Sequence, residues 1–517
     1  MEKHFKAFFE VIAELGHRKI AFDSKLGFER ESLRVKNSRI SPNSHPKALG
    51  SSNCNRYITI DFSEAQLELI TPPNTGAFES LEMLDNIHHF VINNIGDETL
   101  WPLSMPPSFK SEDEIPVGIF GPSNQGRFKH IYRLGLANRY GKSMQTISGF
   151  HFNFSLPEEI WNPSIIGSDI NPKEFRSLIY FNILRNIYQM NWFLVYLFGS
   201  SPIIDKKMIK NKNDDFIELS NDSALLPYST SLRMSEYGYC NSDRKNIYVS
   251  VNSLEEYAAD LRSATESIEP RYLKYQKQAN SQLNSNILQI EAEYYAVARA
   301  KSNLRKFERP STVLMNEGVS FIEVRSIDIN PFERSGISHD DILFLEMFMI
   351  FCSAEQCEMF DQKTIEIINK NDETIAKYGR KPKISLVRNR KNILMTDWAN
   401  EILDRMTPIA EKLDSDESEY LRVIDSMRLK INDTAMTQSE RLIEKVKEVN
   451  NDQTQLGDIL GHEYKKEFMG ININENAFWS ILEEESKLSL NQQKDLEKKT
   501  MDSKLSFDNY KKKYYRS

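Results

Sequence analysis

Four stretches of this sequence carry acids or a histidine at spacings that would turn them to one side of a β-strand. In GFERESLRV the carboxylates Glu29 and Glu31 lie two residues apart, and a two-residue period puts both on one face. In MQTISGFHFNFS, Phe150, Phe152 and Phe154 claim one face for a core, so Gln145, Ile147, Gly149, His151 and Asn153 must look the other way. In VSFIEVRSID, Ile322 and Val324 oppose Glu323 and Arg325, and ITIDFSEAQLELIT adds Asp61 and Glu68 beside a dense apolar run. Any half-exposed antiparallel strand shows polar residues to water, so no single stretch decides. Several of them beside strongly apolar text point to one shared cavity. Two carboxylates about 4 Å apart repel by about 4 kcal/mol at an effective dielectric near 20, and such a cluster needs protons or cations. Magnesium suits an all-oxygen site that leaves coordination positions for phosphate, and a histidine among the ligands makes manganese an acceptable substitute.

Asp61 and Glu68 are seven residues apart. One regular strand would send them to opposite faces, so a shared metal role predicts a bend or bulge across Ser63–Gln66. A second constellation, GPSNQGRFKHIYRLGLANRYGKS, gathers Arg127, Lys129, Arg133, Arg139 and Lys142 and suits either an anionic ligand or a solvated helix face. Its Gly135–Ser143 piece has five residues between the glycines, one too many for a phosphate-binding P-loop. HEYKKE at His462 lacks a second histidine at metal spacing. Neither a dinucleotide fingerprint nor zinc spacing nor a nucleophile-elbow serine is present.

The elements that must position these residues follow from periodicity. Strands are expected at Gly27–Val35, Tyr57–Phe62, Leu67–Thr71, Met144–Ser155, Asn286–Tyr295 and Val319–Asp328. Helices are expected at Phe78–Ile95 and at Pro172–Phe198, the latter opened by Asn171 and Pro172. A first helix ending at Gly16 carries Phe5, Phe8, Phe9, Ile12 and Leu15 at helical spacing. Strands do not alternate singly with helices, which favours an α+β architecture with a mostly antiparallel sheet over a doubly wound parallel one. Beyond about Phe332 strands become scarce and charged helical periodicity takes over. The division is thus a mixed part, 1–335, and a mostly helical part, 336–517, packed on it, with an exposed or frayed tail from about Lys487.

The 517 residues carry 66 Lys plus Arg against 74 Asp plus Glu, a formal charge of −8. That balance disfavours a wrapped nucleic acid. Apolar runs near Trp192–Phe198 and Met347–Cys352 fall short of the roughly 20 residues that span a bilayer. Four cysteines (Cys54, Cys240, Cys352 and Cys357) cannot staple a chain of this length, so free thiols in a reducing cytoplasm are expected.

The blocks GFERESLRV, HPKALGSS, ITIDFSEAQLELITP, GDETLWPLSMP, GRFKHIYRLGLANRYG, MQTISGFHFNFS, YLFGSSP, TSLRMSEYGY, NSNILQIE and FIEVRSIDINPF resemble, in order, those of the glutamate–cysteine ligase (γ-glutamylcysteine synthetase) family, proteobacterial type 1. They cover roughly residues 20 to 335; beyond them only pieces such as GRKP at Gly379 resemble the family. The resemblance implies a curved, mostly antiparallel sheet forming a funnel-shaped active site, as in the catalytic domain of glutamine synthetase. It implies that Glu29, Glu31, Asp61, Glu68, His151 and Glu323 hold magnesium, and that Arg233 and Arg325 face the glutamate carboxylate and its phosphorylated form. Phe62, Tyr132, Leu136, Gln145, Tyr239 and Tyr295 are implied to surround cysteine. The implied reaction is the ATP-dependent joining of the L-glutamate γ-carboxylate to the L-cysteine amine through γ-glutamyl phosphate, the first step of glutathione biosynthesis. The substrates are then the only expected partners, with no nucleic acid or membrane, and the chain a monomer. Members of another lineage are fused to an ATP-grasp domain that adds glycine, for which the helical remainder is too short. Another carboxylate–amine ligase on the same scaffold, or a metal-dependent phosphohydrolase, would use the same acids.

Overall fold

The computed structural model describes residues 16–162, 171–209, 211, 214–239, 247–303, 308–414 and 418–517, together with Phe8, Glu10 and Ile12. Thirteen strands appear among them: β1 (Lys25–Lys36), β2 (Arg39–Ile40), β3 (Ile58–Ile60), β4 (Gln66–Ile70), β5 (Thr99–Leu100), β6 (Gly149–Ser155), β7 (Ile203–Asp205), β8 (Ile217–Glu218), β9 (Ser223–Leu225), β10 (Ala298–Lys301), β11 (Phe321–Asp328), β12 (Ser385–Arg388) and β13 (Lys391–Leu394). Eight of them form one open sheet in the order β10-β11-β6-β1-β4-β3, with β2 and β5 on the far end of β1. Every pairing between these strands is antiparallel. The α+β expectation therefore holds.

One face of this sheet is a core. Phe28 of β1, the three phenylalanines of β6, and Ile322, Val324 and Ile327 of β11 are all within 1% of full burial. They pack with the helices Ala77–Asn94, Pro172–Phe198 and His339–Ala354. The 172–198 helix starts as its sequence dictates, with the Asn171 side chain accepting from Lys173 N and Pro172 in the first turn. The 339–354 helix opens with a capping box between Ser338 and Asp341. Both helices are buried nearly all round, yet among the described residues no helix is long and apolar enough to cross a membrane.

Several expectations need correction. Asn286–Tyr295 is not a strand: it has one isolated bridge at Asn286 and a 3-10 turn at Glu291–Glu293. Its polar side chains satisfy the backbone locally instead, for Leu283 N donates to Gln289 Oε1 and Gln289 N to Glu293 Oε2. The β6 strand starts at Gly149, five residues late, because Lys142–Gln145 forms a helical turn whose first amides donate to Glu112. The expected stop at Gly16 agrees with the described residues: Phe8, Glu10 and Ile12 are helical, and Gly16 N donates to Ile12 O. With φ 79° Gly16 precedes the helix His17–Asp23, while Phe8 and Ile12 are buried; Phe5, Phe9 and Leu15 lie outside the described residues, as does Cys240. Cys54, Cys352 and Cys357 are buried and in no disulfide.

The segment from Lys487, expected to fray, is helical in Trp479–Ser503 and Phe507–Arg516. Many of its residues face solvent, but Phe507 and Tyr514 are buried against Phe128 and Ile131. An aromatic at either end of one short amphipathic helix is enough to dock it.

Candidate active site

Register places the acids. Glu31 lies directly across from Glu68, and Glu29 from His151. Glu323 lies across from Asn153, so all of these side chains share the face opposite the phenylalanines. The chain turns over Ser63–Ala65 between β3 and β4, and Asp61 N still donates to Gln66 O. Thr59 is paired with Glu68, so Asp61, two residues on, comes to the face of Glu68. The predicted bend is this hairpin. Arg133 fastens it by donating to the carbonyls of Asp61 and Ile60 while its guanidinium stacks on Phe120 at 4.2 Å.

Glu29, Glu68 and His151 each offer a ligand atom within 4.8 Å of the others. His151 Nδ1 is 3.1 Å from Glu29 Oε2 and 3.9 Å from Glu323 Oε1, while its Nε2 is 3.6 Å from Glu31 Oε1. Glu31 is anchored from behind, its Oε2 accepting from Gly149 N at 2.7 Å. Two buried atoms of these side chains, His151 Nε2 and Glu323 Oε2, have no hydrogen-bond partner among the described residues. Unsatisfied buried ligands of this kind fit a divalent cation.

Electrostatics support the same reading. Burial, then the carboxylates of Glu29, Asp61 and Glu31, pushes Glu68 well above the usual carboxylate range. Burial raises Glu31 too, with Asp61 adding to it. On the other side of His151, burial of Glu323 is outweighed by Lys301, Arg325 and Arg299, which hold it well below that range. For Glu29, burial and Glu323 are outweighed by the His151 hydrogen bond and Lys301, and the net shift is downward. Without metal, protons and basic side chains share the task of keeping the acids together.

The arginines stand at one end of this cluster. Arg325 Nη1 is 3.2 Å from Glu323 Oε1. Arg233 is fully buried, donates through Nη2 to Arg325 O at 2.7 Å, and lies over the Tyr239 ring at 4.9 Å. Tyr239 stacks on Tyr295 with centroids 5.0 Å apart, and the Tyr295 hydroxyl donates to Gln145 Oε1 at 2.6 Å. Phe62 and Leu136 are buried in the apolar cluster against which Tyr132 and Tyr239 pack. The residues named from the resemblance are thus gathered around one end of the sheet face, although Gln145 arrives from a helical turn and not from β6.

Sequence reasoning missed Asp328. It is buried and accepts from Ser200 N, Ser201 Oγ and Ser231 Oγ, with Arg233 Nη1 at 3.6 Å. Five residues separate it from Glu323, so a regular strand would hide it in the core. The register shift between Val324 and Ile327 inserts one extra residue and returns it to the site face across from Gly149. Lys301 and Arg299 were also missed, since nothing read β10 as a strand.

Comparison with known proteins bears on this geometry. The family model described as glutamate–cysteine ligase matches residues 9–375. A glutamate–cysteine ligase of Pseudomonas putida is 39% identical over 430 residues, 82% of each chain. The crystal structure of a glutamate–cysteine ligase from Francisella tularensis in complex with AMP superposes with a TM-score of 0.90 at 33% identity, covering 97% of this chain and 99% of that one. A bifunctional glutathione synthetase from Pasteurella multocida, 23% identical, shares the fold with a TM-score of 0.71, and the match covers 92% of this chain and 57% of that one.

Proposed function

Because the chain belongs to the glutamate–cysteine ligase family, we propose that it uses ATP to join the γ-carboxylate of L-glutamate to the amine of L-cysteine, the first step of glutathione biosynthesis. One observation carries the site assignment: carboxylates and a histidine from separate strands converge on one sheet face with buried ligand atoms left unpartnered. Glu29, Glu31, Asp61, Glu68, His151 and Glu323 would hold magnesium, with manganese as a substitute. A divalent cation held there would supply charge compensation for phosphate oxygens.

The chain's own residues bind and orient. Phosphoryl transfer leaves little covalent work for a protein beyond positioning and charge compensation, which is why no nucleophile or general-base triad is needed. The planar forks of Arg233 and Arg325 suit the carboxylate of glutamate and, after transfer, the oxygens of γ-glutamyl phosphate. The cysteine amine then attacks that acyl phosphate and phosphate leaves. Phe62, Tyr132, Leu136, Gln145, Tyr239 and Tyr295 form the cysteine pocket. An aromatic-lined pocket favours sulfur by only about 1 kcal/mol, so slow use of 2-aminobutyrate is expected. We place the enzyme in the cytoplasm as a monomer, with residues 1–335 as its catalytic part and 336–517 as helical support.

Magnesium-dependent ADP release, measured with glutamate, with and without cysteine, and paired with mass detection of the dipeptide, tests this reading. Dipeptide formation that needs both amino acids is the expected result. ATP loss independent of glutamate would mark a phosphohydrolase, and a product with another amine would mark a different ligase.

A further inference from the structure

The edge strand β10 puts two cations on the site face. Arg299 is paired directly with Glu323, whereas Ala298 and Ala300 are buried on the other side, so Arg299 and Lys301 both point toward the acids. Arg299 is occupied: it donates to the carbonyls of Ala292 and Tyr294 and so fixes the segment leading into Tyr295. Lys301 differs. Among the described residues its ammonium is in ion-pair reach of Glu323 Oε1, at 3.3 Å, with Glu29 also in its field, and a quarter of its side chain (26%) is open to solvent.

The Glu323 contact is shared. The same Oε1 carries Arg325 at 3.2 Å, while Oε2 is buried and unpartnered. A divalent ion on Oε2 would leave one carboxylate facing two side-chain cations and a metal. Like charges a few ångströms apart in a partly buried site repel, and a divalent ion repels twice as strongly as a single charge. Arg325 has the acceptor carboxylate to turn to; Lys301 lies on the opposite side of Glu323 along the sheet, and a cation taken up by Glu29 and Glu323 would leave its ammonium to meet a further anion. A compact ammonium on a flexible stem can follow a phosphate oxygen without demanding a fork.

We propose that Lys301 is a phosphate-contacting residue, taking an oxygen of the metal-bound nucleotide's phosphate chain and so placing that chain over the β10 edge of the sheet. This rests on the ligase reading above. It is tested with Lys301→Met, which keeps the stem and removes the charge, and with Lys301→Gln as a second variant. Titration calorimetry with magnesium ADP should show about tenfold weaker binding or more than in the wild type. Manganese affinity, read by electron paramagnetic resonance, and the KM values for glutamate and cysteine should stay within about twofold. Equal magnesium ADP affinity in wild type and both variants overturns the inference alone, as does parallel loss of manganese, which would make Lys301 a support for Glu323. A wild type that binds no nucleotide removes the ligase reading itself.

Discussion

Arg233 shows how one side chain depends on its surroundings. Buried Asp328, held by three hydrogen bonds, lies beside the Arg233 guanidinium, which sits over Tyr239, and the backbone at Gly149 comes close enough that any Cβ there would collide with Arg233. Gly149→Ala should therefore displace Arg233 and raise the KM for glutamate about tenfold or more, with the KM for ATP less affected; equal changes in both would count against this placement. At Arg325 charge alone is insufficient. Arg325→Lys keeps the cation but loses the planar fork, and we expect turnover to fall about tenfold or more, measured by ADP release. Wild-type turnover in that variant would refute the role.

The strands were legible where their text was lopsided. Three phenylalanines on one face of β6 leave no choice for His151, and the odd spacing of Asp61 and Glu68 announced the hairpin that brings them together. The bulge at Arg325–Ser326 was not legible, because it exists only relative to the register of β6; Asp328 was lost with it. Likewise β10 is four residues long and alternates alanine with bases, a pattern any solvated segment shows, so Lys301 went unseen. Helix pairing sets a pH dependence of its own. Asp372, on the 362–378 helix, accepts from Asn191 of the 172–198 helix at 2.8 Å, and burial pushes it up to about 8. The folded chain therefore holds a proton that the unfolded chain releases near the ordinary aspartate value of 3.8. Its contribution to stability is full below about pH 4 and is lost as pH rises through about 8. Asp372→Asn should raise the melting temperature at pH 8.5 by a few degrees and change it less at pH 5; an equal shift at both would contradict the assignment.

Across the whole molecule, the far end of the chain braces the site. Ser489 accepts from Ser51 N, Glu485 pairs with Arg56 at 2.7 Å, and Gln493 accepts from Asn53, so the 479–503 helix clamps the segment leading into β3 and Asp61. A chain ending at Asn476 should melt several degrees lower and exchange amide hydrogens faster over residues 49–60; unchanged exchange there would remove the bracing role. That packing was hidden in the sequence because Glu485, Ser489 and Gln493 are polar side chains that read as ordinary solvated helix surface. The central claim remains the convergence of acids from distant strands on one cation-holding face, and manganese binding tests it most directly. In electron paramagnetic resonance titrations the wild type should take up manganese, and a Glu29→Gln, Glu323→Gln double variant with unchanged circular dichroism should not. Equal uptake by both would contradict the account.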